Sequence, residues 1–275
     1  MKTSKIILLF LLAATLAFFN SSCKKESSST SNSNESWVSD DALAMKAFSD
    51  LEDISNEGMG KITKGILADS LYIGHCGTVS MDLVSIPIKL TIDFGMVNCV
   101  CPDTKSRRGK VIATFSTAYS DSGTVITITT ENYFVNDNQV LGTETITNRG
   151  HNPAGHLHFG IIADGTIIKA NSGGTITWHY AGDREWIAGQ GTFSWWDDEY
   201  LVSGGSYGTA ANGQSYSMTT TTPLDIKLDC RWITAGVLSV DAVGLSAITL
   251  DFGTGDCDNI VTLTYNGQSI AITMP

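Results

Sequence analysis

Cys23 is the residue of this chain with the most definite chemistry. It follows a positive start at Lys2 and Lys5, an apolar run from Ile6 to Phe19, and the small or polar Asn20, Ser21 and Ser22. The run is too short to span a bilayer as a mature helix, so residues 1–22 read as a secretory signal. A cysteine at the cleavage point, with Lys24-Lys25-Glu26 behind it, predicts a lipoprotein whose acylated Cys23 becomes the first residue. Two or more acyl chains, palmitate among them, anchor stably where one is marginal. Asn20 stands where Leu or Val is more usual, and the alternative is an ordinary signal cut near Ser22 with Cys23 unmodified.

Five further cysteines, Cys76, Cys99, Cys101, Cys230 and Cys257, leave an odd thiol in an exported chain that permits disulfides. No pair has CxxC spacing, and Cys99 and Cys101 cannot bridge within one extended strand, where alternate side chains merely share a face. The histidines His151-x4-His156-x-His158 offer an i, i+2 pair on one strand face, as some metal sites require. No neighbouring carboxylate completes a set and no HExxH is present, so turn histidines without a metal are the expectation. Asp251, Asp256, Asp258 and Asn259 lie in a Gly-rich turn that departs from the EF-hand order, which favours turn formation over calcium.

Aromatic residues give the ligand-binding candidate. Trp178, Trp186, Trp195, Trp196, Tyr200 and Tyr207 fall in one stretch, with Asp197, Asp198 and Glu199 beside the paired tryptophans. Exposed rings with neighbouring carboxylates suit stacking on sugars, whereas buried rings fill a β core. Trp195, Trp196, Asp198 and Tyr200 are the residues singled out for such binding. No GxSxG elbow, no cysteine beside a suitable histidine and no phosphate-cradling glycine loop is present, so no catalytic residue is assigned. The first reading is a membrane-anchored envelope lipoprotein of unknown molecular role, structural or interaction, and a glycan- or small-ligand-binding module is the second. A hydrolase ranks third: glycosidase chemistry needs two convergent carboxylates, of which this stretch supplies one. No cofactor is expected.

Removing Lys2 and Lys5 with the signal leaves 15 basic against 28 acidic residues, a formal charge of −13. That balance excludes nucleic acid, whose phosphates require a basic face, and a polybasic membrane contact. Partners are then a bilayer through acylated Cys23 and a polysaccharide or envelope protein. Residues 23–38 read as the lipidated cysteine and a Ser/Asn-rich flexible tether, with a root-mean-square span of roughly 15 to 20 Å for residues 26–36.

The scaffold predicted for these residues begins with one helix over 39–60. Ser39-Asp40-Asp41 supply a cap and an acidic first turn, Leu43, Ala47, Phe48, Leu51 and Ile54 form an apolar stripe, and Gly58 and Gly60 end it. The helix is expected to lie across an edge or open face of the sheet that follows. Residues 61–275 read as β throughout, with Asn136-Asp137-Asn138 as a hairpin tip. Roughly fourteen to sixteen short strands are counted, as in an antiparallel sandwich or a long curled sheet.

An internal repeat joins the ends of this region. Ile92-Asp93-Phe94-Gly95-x3-Cys99 recurs as Leu250-Asp251-Phe252-Gly253-x3-Cys257, and Gly109-x2-Ile112-Ala113 as Gly267-x2-Ile270-Ala271, all at an offset of 158. Two related β units, about 70–117 and 225–275, are inferred. The pairing that preserves their symmetry joins Cys230 to Cys257, and Cys76 to Cys99 or Cys101, closing loops worth about 3 kcal/mol each. The alternative is five reduced, buried thiols.

Asp229-Cys230-Arg231-Trp232-Ile233, Leu250-Asp251-Phe252-Gly253-Thr254-Gly255-Asp256-Cys257-Asp258-Asn259 and Arg184-Glu185-Trp186-Ile187-Ala188-Gly189 resemble a group of uncharacterised lipoproteins of Bacteroidota. The resemblance runs from about Thr91 to Pro275 and implies an exported, lipid-anchored, mainly β protein. It lends no activity and no catalytic residue. Attachment to the outer membrane, with surface display, is the expectation from lipid group, tether and acidity.

Overall fold

The computed structural model describes residues 36–63, 72–73, 76–118, 121–192, 197–242 and 248–274. The signal segment, Cys23, the tether up to residue 35, Trp195 and Trp196 lie outside them. Helix α1 (Ser36–Thr63) precedes β1 (Tyr72–Ile73), β2 (Gly77–Asp82), β3 (Ile88–Asp93), β4 (Cys99–Val100) and β5 (Ser106–Phe115). β6 (Val125–Val135), β7 (Asn138–His151), β8 (Leu157–Ile168), β9 (Thr175–Ala188) and β10 (Glu199–Thr209) follow. β11 (Ser215–Lys227), β12 (Ala235–Ala242), β13 (Ile248–Thr254), β14 (Ile260–Tyr265) and β15 (Gln268–Thr273) complete the chain.

All strands belong to one antiparallel meander, in which β3 passes directly to β5 and the short β4 sits beside β5. Its end strands, β1 and β15, do not pair, so the sheet is open. Of the two expected architectures this is the curled sheet and not the sandwich. The reason is that the apolar face has another cover. On β5, Val111, Ala113 and Phe115 point inward and are buried; Ile126 and Ile128 on β6 continue the same face. Helix α1 lies on it, touching β1, β3, β5, β6, β8, β9 and β10.

The fit of α1 in this trough follows from helix geometry. Buried positions run from Asp50 through Leu51, Ala47, Ala44, Trp37 and Phe48 to Glu52. At about 100° per residue these cover roughly 200° of the circumference, so the sheet meets the helix on more than one side. Ala42, Lys46, Ser49 and Asn56 occupy the remaining, exposed face. Gly165 marks the closest approach: a Cβ there would overlap the ring of Phe48, which also stacks on Trp178 at 5.2 Å.

The helix is longer than the sequence predicts. Ser39 is already inside it, so it is not the cap, and Gly58 and Gly60 do not end it. A glycine costs only about 0.5–1 kcal/mol in a helix, which packing against the sheet outweighs. Asp40 and Asp41 are not in the first turn facing the helix dipole; they are buried against the sheet. The turn chemistry is closer to expectation. Asn136 and Asp137 both take positive φ, 49° and 61°, at the tip joining β6 to β7, and Asn138 opens β7.

Disulfides join Cys76 to Cys99 and Cys230 to Cys257, and Cys101 is the buried free thiol. The repeated corners share their local design. Asp93 accepts a hydrogen bond from the Gly95 amide at 2.8 Å and Asp251 from Gly253 at 2.9 Å, both glycines have positive φ, and Phe94 and Phe252 are buried. Beyond the corner the paths differ. β3 pairs directly with β5, whereas β14 separates β13 from β15. Gly109 sits at a bulge on β5, but Gly267 closes the tight β14–β15 turn, so the Gly109 and Gly267 part of the repeat is a likeness of sequence without a common strand pairing.

Candidate functional site

Beneath the helix, carboxylates from α1 are matched one by one to the sheet. Asp40 accepts hydrogen bonds from Lys169 Nζ at 2.7 Å and the Ala211 amide at 2.8 Å. Asp41 accepts from Trp178 Nε1 and Ser206 Oγ, each at 2.8 Å. Burial lifts its pKa above the usual carboxylate value, and these donors only partly offset that. Asp50 takes Lys105 at 2.5 Å, Arg107 at 2.6 and 3.2 Å, and the Tyr133 hydroxyl at 3.2 Å. Glu52 binds the two terminal nitrogens of Arg184. Glu144 on β7 is also buried, and its Oε2 has no hydrogen-bond partner among the described residues. Burial, reinforced by the charge of Glu52, raises its pKa well above the ordinary value. The pairs Asp40–Lys169, Asp50–Arg107 and Glu52–Arg184 fix the helix in its trough.

The opposite, solvent face of the sheet carries the concave site. Strand pairing sets Thr143, Asp164, His179, Tyr207 and Ser217 in one row across β7 to β11. Leu141, Thr166, Thr177, Thr209 and Ser215 form the next row. Between them run Gly142, Gly165 and Gly208, and the two rows flank an open groove of about 630 Å³. Gly165 lines the groove outside and faces the ring of Phe48 inside, so one residue touches both faces of the sheet.

His179 Nδ1 lies 2.5 Å from Asp164 Oδ1, and its ring packs against Tyr207 with centroids 4.6 Å apart. Tyr207 is held on one side only and stays 57% exposed. An exposed ring, a carboxylate and a bank of hydroxyls can stack on and hydrogen-bond a polar ring-shaped ligand. The imidazole bonds to Asp164 alone among the described residues.

The sequence candidates are dispersed. Trp178 is a core residue bound to Asp41. Tyr200 is half-buried on the inner face, against Trp186 at 5.7 Å and the Arg184 guanidinium at 5.2 Å. Asp198 is buried, accepts from the Tyr200 hydroxyl at 3.3 Å, and has its pKa raised by desolvation. Neither Asp198 nor Tyr200 lines the outer groove. Trp195 and Trp196 fall outside the described residues. Among the described residues of the aromatic stretch, Trp178 and Tyr207 both line the groove, Trp178 buried in its floor and Tyr207 exposed; the partners of Tyr207, His179 and Asp164, come from neighbouring strands.

A carboxylate does reach the histidine cluster, contrary to the expectation from spacing. Glu185 lies 2.6 Å from His156 and accepts from Asn152 at 2.7 Å, contacts that hold its pKa below the usual range. His158 turns to the Gly150 carbonyl instead, and His151 to Gln190. Among the described residues no three ligands converge on a metal position. Asp251 and Asp258 bond to the amides of Gly253 and Ile260, closing turns.

No protein-family model, curated protein or solved structure matches the chain. No described helix is long and apolar enough to cross a membrane.

Proposed function

We propose that the chain is an exported lipoprotein, anchored to the outer membrane by acylated Cys23, whose folded domain is a non-catalytic interaction module that binds a glycan in the outer groove. The signal segment and the Ser/Asn-rich tether support the anchor, as does the resemblance to Bacteroidota envelope lipoproteins. The observation that carries the binding reading is the open ring of Tyr207, braced by His179 beside the Asp164 carboxylate in a groove lined with threonine and serine. Sugars present apolar CH faces to a ring and hydroxyls to carboxylates, which this pairing of groups matches. The site differs from the Trp195 and Trp196 stretch in residues but not in kind.

Two experiments test the parts separately. Cys23→Ser should release the chain from the membrane fraction; full membrane association of that variant removes the anchor. Migration of the wild type through gels containing envelope or host polysaccharides should be retarded by at least one of them. Equal retardation of Tyr207→Ala would place binding elsewhere, and no retardation by any polysaccharide would leave a structural or protein-binding role.

A further inference from the structure

We propose that the domain rests on the phospholipid bilayer through one particular rim of the sheet, the rim where α1 begins, with Met96, Val97 and Val100 entering the headgroup interface. The inference rests on the lipid anchor at Cys23.

Because the strands alternate in direction, their connections gather at two opposite rims. One rim carries the β3–β4 loop, the Asn136–Asp137 tip, the turn at Ala170–Ser172 and the β10–β11 turn. Helix α1 starts there: Asp40 is bonded to Lys169 and to the Ala211 amide, both on that rim, and Ser36 lies one turn earlier. Twelve residues separate Cys23 from Ser36, a reach of at most about 45 Å when fully extended. The anchor therefore tethers the domain by this rim.

The same rim presents unpartnered apolar side chains. Met96 is 95% and Val97 78% exposed in the loop before β4, and Val100 on β4 is 73% exposed, next to the Cys76–Cys99 disulfide that pins the segment. Side chains of this kind are stabilised when they enter the boundary between headgroups and acyl chains. Charge selects the same orientation. The described connections of this rim carry Asp103 and Asp137 balanced by Lys105 and Lys169. Those of the far rim carry Asp121, Asp197, Asp198, Asp229, Asp256 and Asp258 against Arg231. An anionic leaflet repels the far rim and tolerates the near one. Leu83, Val84 and Ile86 are also exposed, but they project from the acidic far rim.

The test uses the mature lipidated protein in phosphatidylethanolamine–phosphatidylglycerol vesicles whose acyl chains carry a photoactivated carbene, with labelled peptides located by mass spectrometry. The peptide containing Met96 to Val100 should carry several-fold more label than the one containing Leu83 to Pro87. Val97→Asp, at an exposed position, should lower that label while leaving vesicle flotation and melting temperature unchanged. Equal or reversed labelling with flotation retained overturns the docking and spares the anchor; failure of the lipidated wild type to float overturns both. Protection of Met96 from oxidation in vesicle-free solution, together with a dimer by light scattering, would assign the surface to a second copy and also reject the proposal.

Discussion

Buried charge decides the most consequential single residues. Glu144 is inaccessible, lacks a partner for Oε2 and lies near Glu52, so its folded-state pKa stands above its unfolded value. The folded state then holds the extra proton, and stability falls as pH rises from the unfolded carboxyl value toward the raised one. Glu144→Gln should flatten that fall: urea unfolding at neutral and mildly alkaline pH should show the variant more stable than wild type, with the gain absent at acidic pH where Glu144 is protonated in both states. A uniform loss at every pH would contradict the reading. Asp50 behaves oppositely, since its removal takes from Arg107, 4% exposed, one of its two carboxylate partners and leaves Asp103 alone to pair it. Asp50→Ala should cost about 1.5–3 kcal/mol by the same measurement. The acids of α1 were visible in sequence, but their roles were not: Asp40 and Asp41 read as dipole partners because Lys169, Trp178 and Ser206 lie more than 120 residues away.

At the level of elements, one glycine couples the two faces of the sheet. Gly165→Ala would drive a methyl group into Phe48 and should cost about 1–3 kcal/mol by calorimetric melting, with a matching shift in the groove outside. Unchanged stability would mean that the ring of Phe48 does not lie against Gly165. The strands and the Asn136–Asp137 tip were legible because inward and outward residues alternate and positive φ has a compositional signature. The Asp-Phe-Gly corners and the cysteine pairing were legible through the repeat. The register after each corner was not, because Gly109 and Gly267 serve a bulge and a tight turn with the same residue type.

For the whole molecule, the described sheet of fifteen strands carries a single helix on one face, packed over strands from β1 to β10, and turns the other face to solvent. The sequence left sandwich and curled sheet open, since either satisfies the alternation. The groove was hidden for a related reason: Asp164, His179 and Tyr207 meet only through the pairing of three strands, and none is marked by local spacing. Calorimetric titration reads the proposed saccharide binding in this groove without an intermediary. An oligosaccharide drawn from a retarding polysaccharide should bind the wild-type domain, and Tyr207→Ala should weaken binding at least about tenfold, or ~1.4 kcal/mol, with an unchanged melting temperature. Equal heats of binding for the two proteins, or none for the wild type, would contradict it.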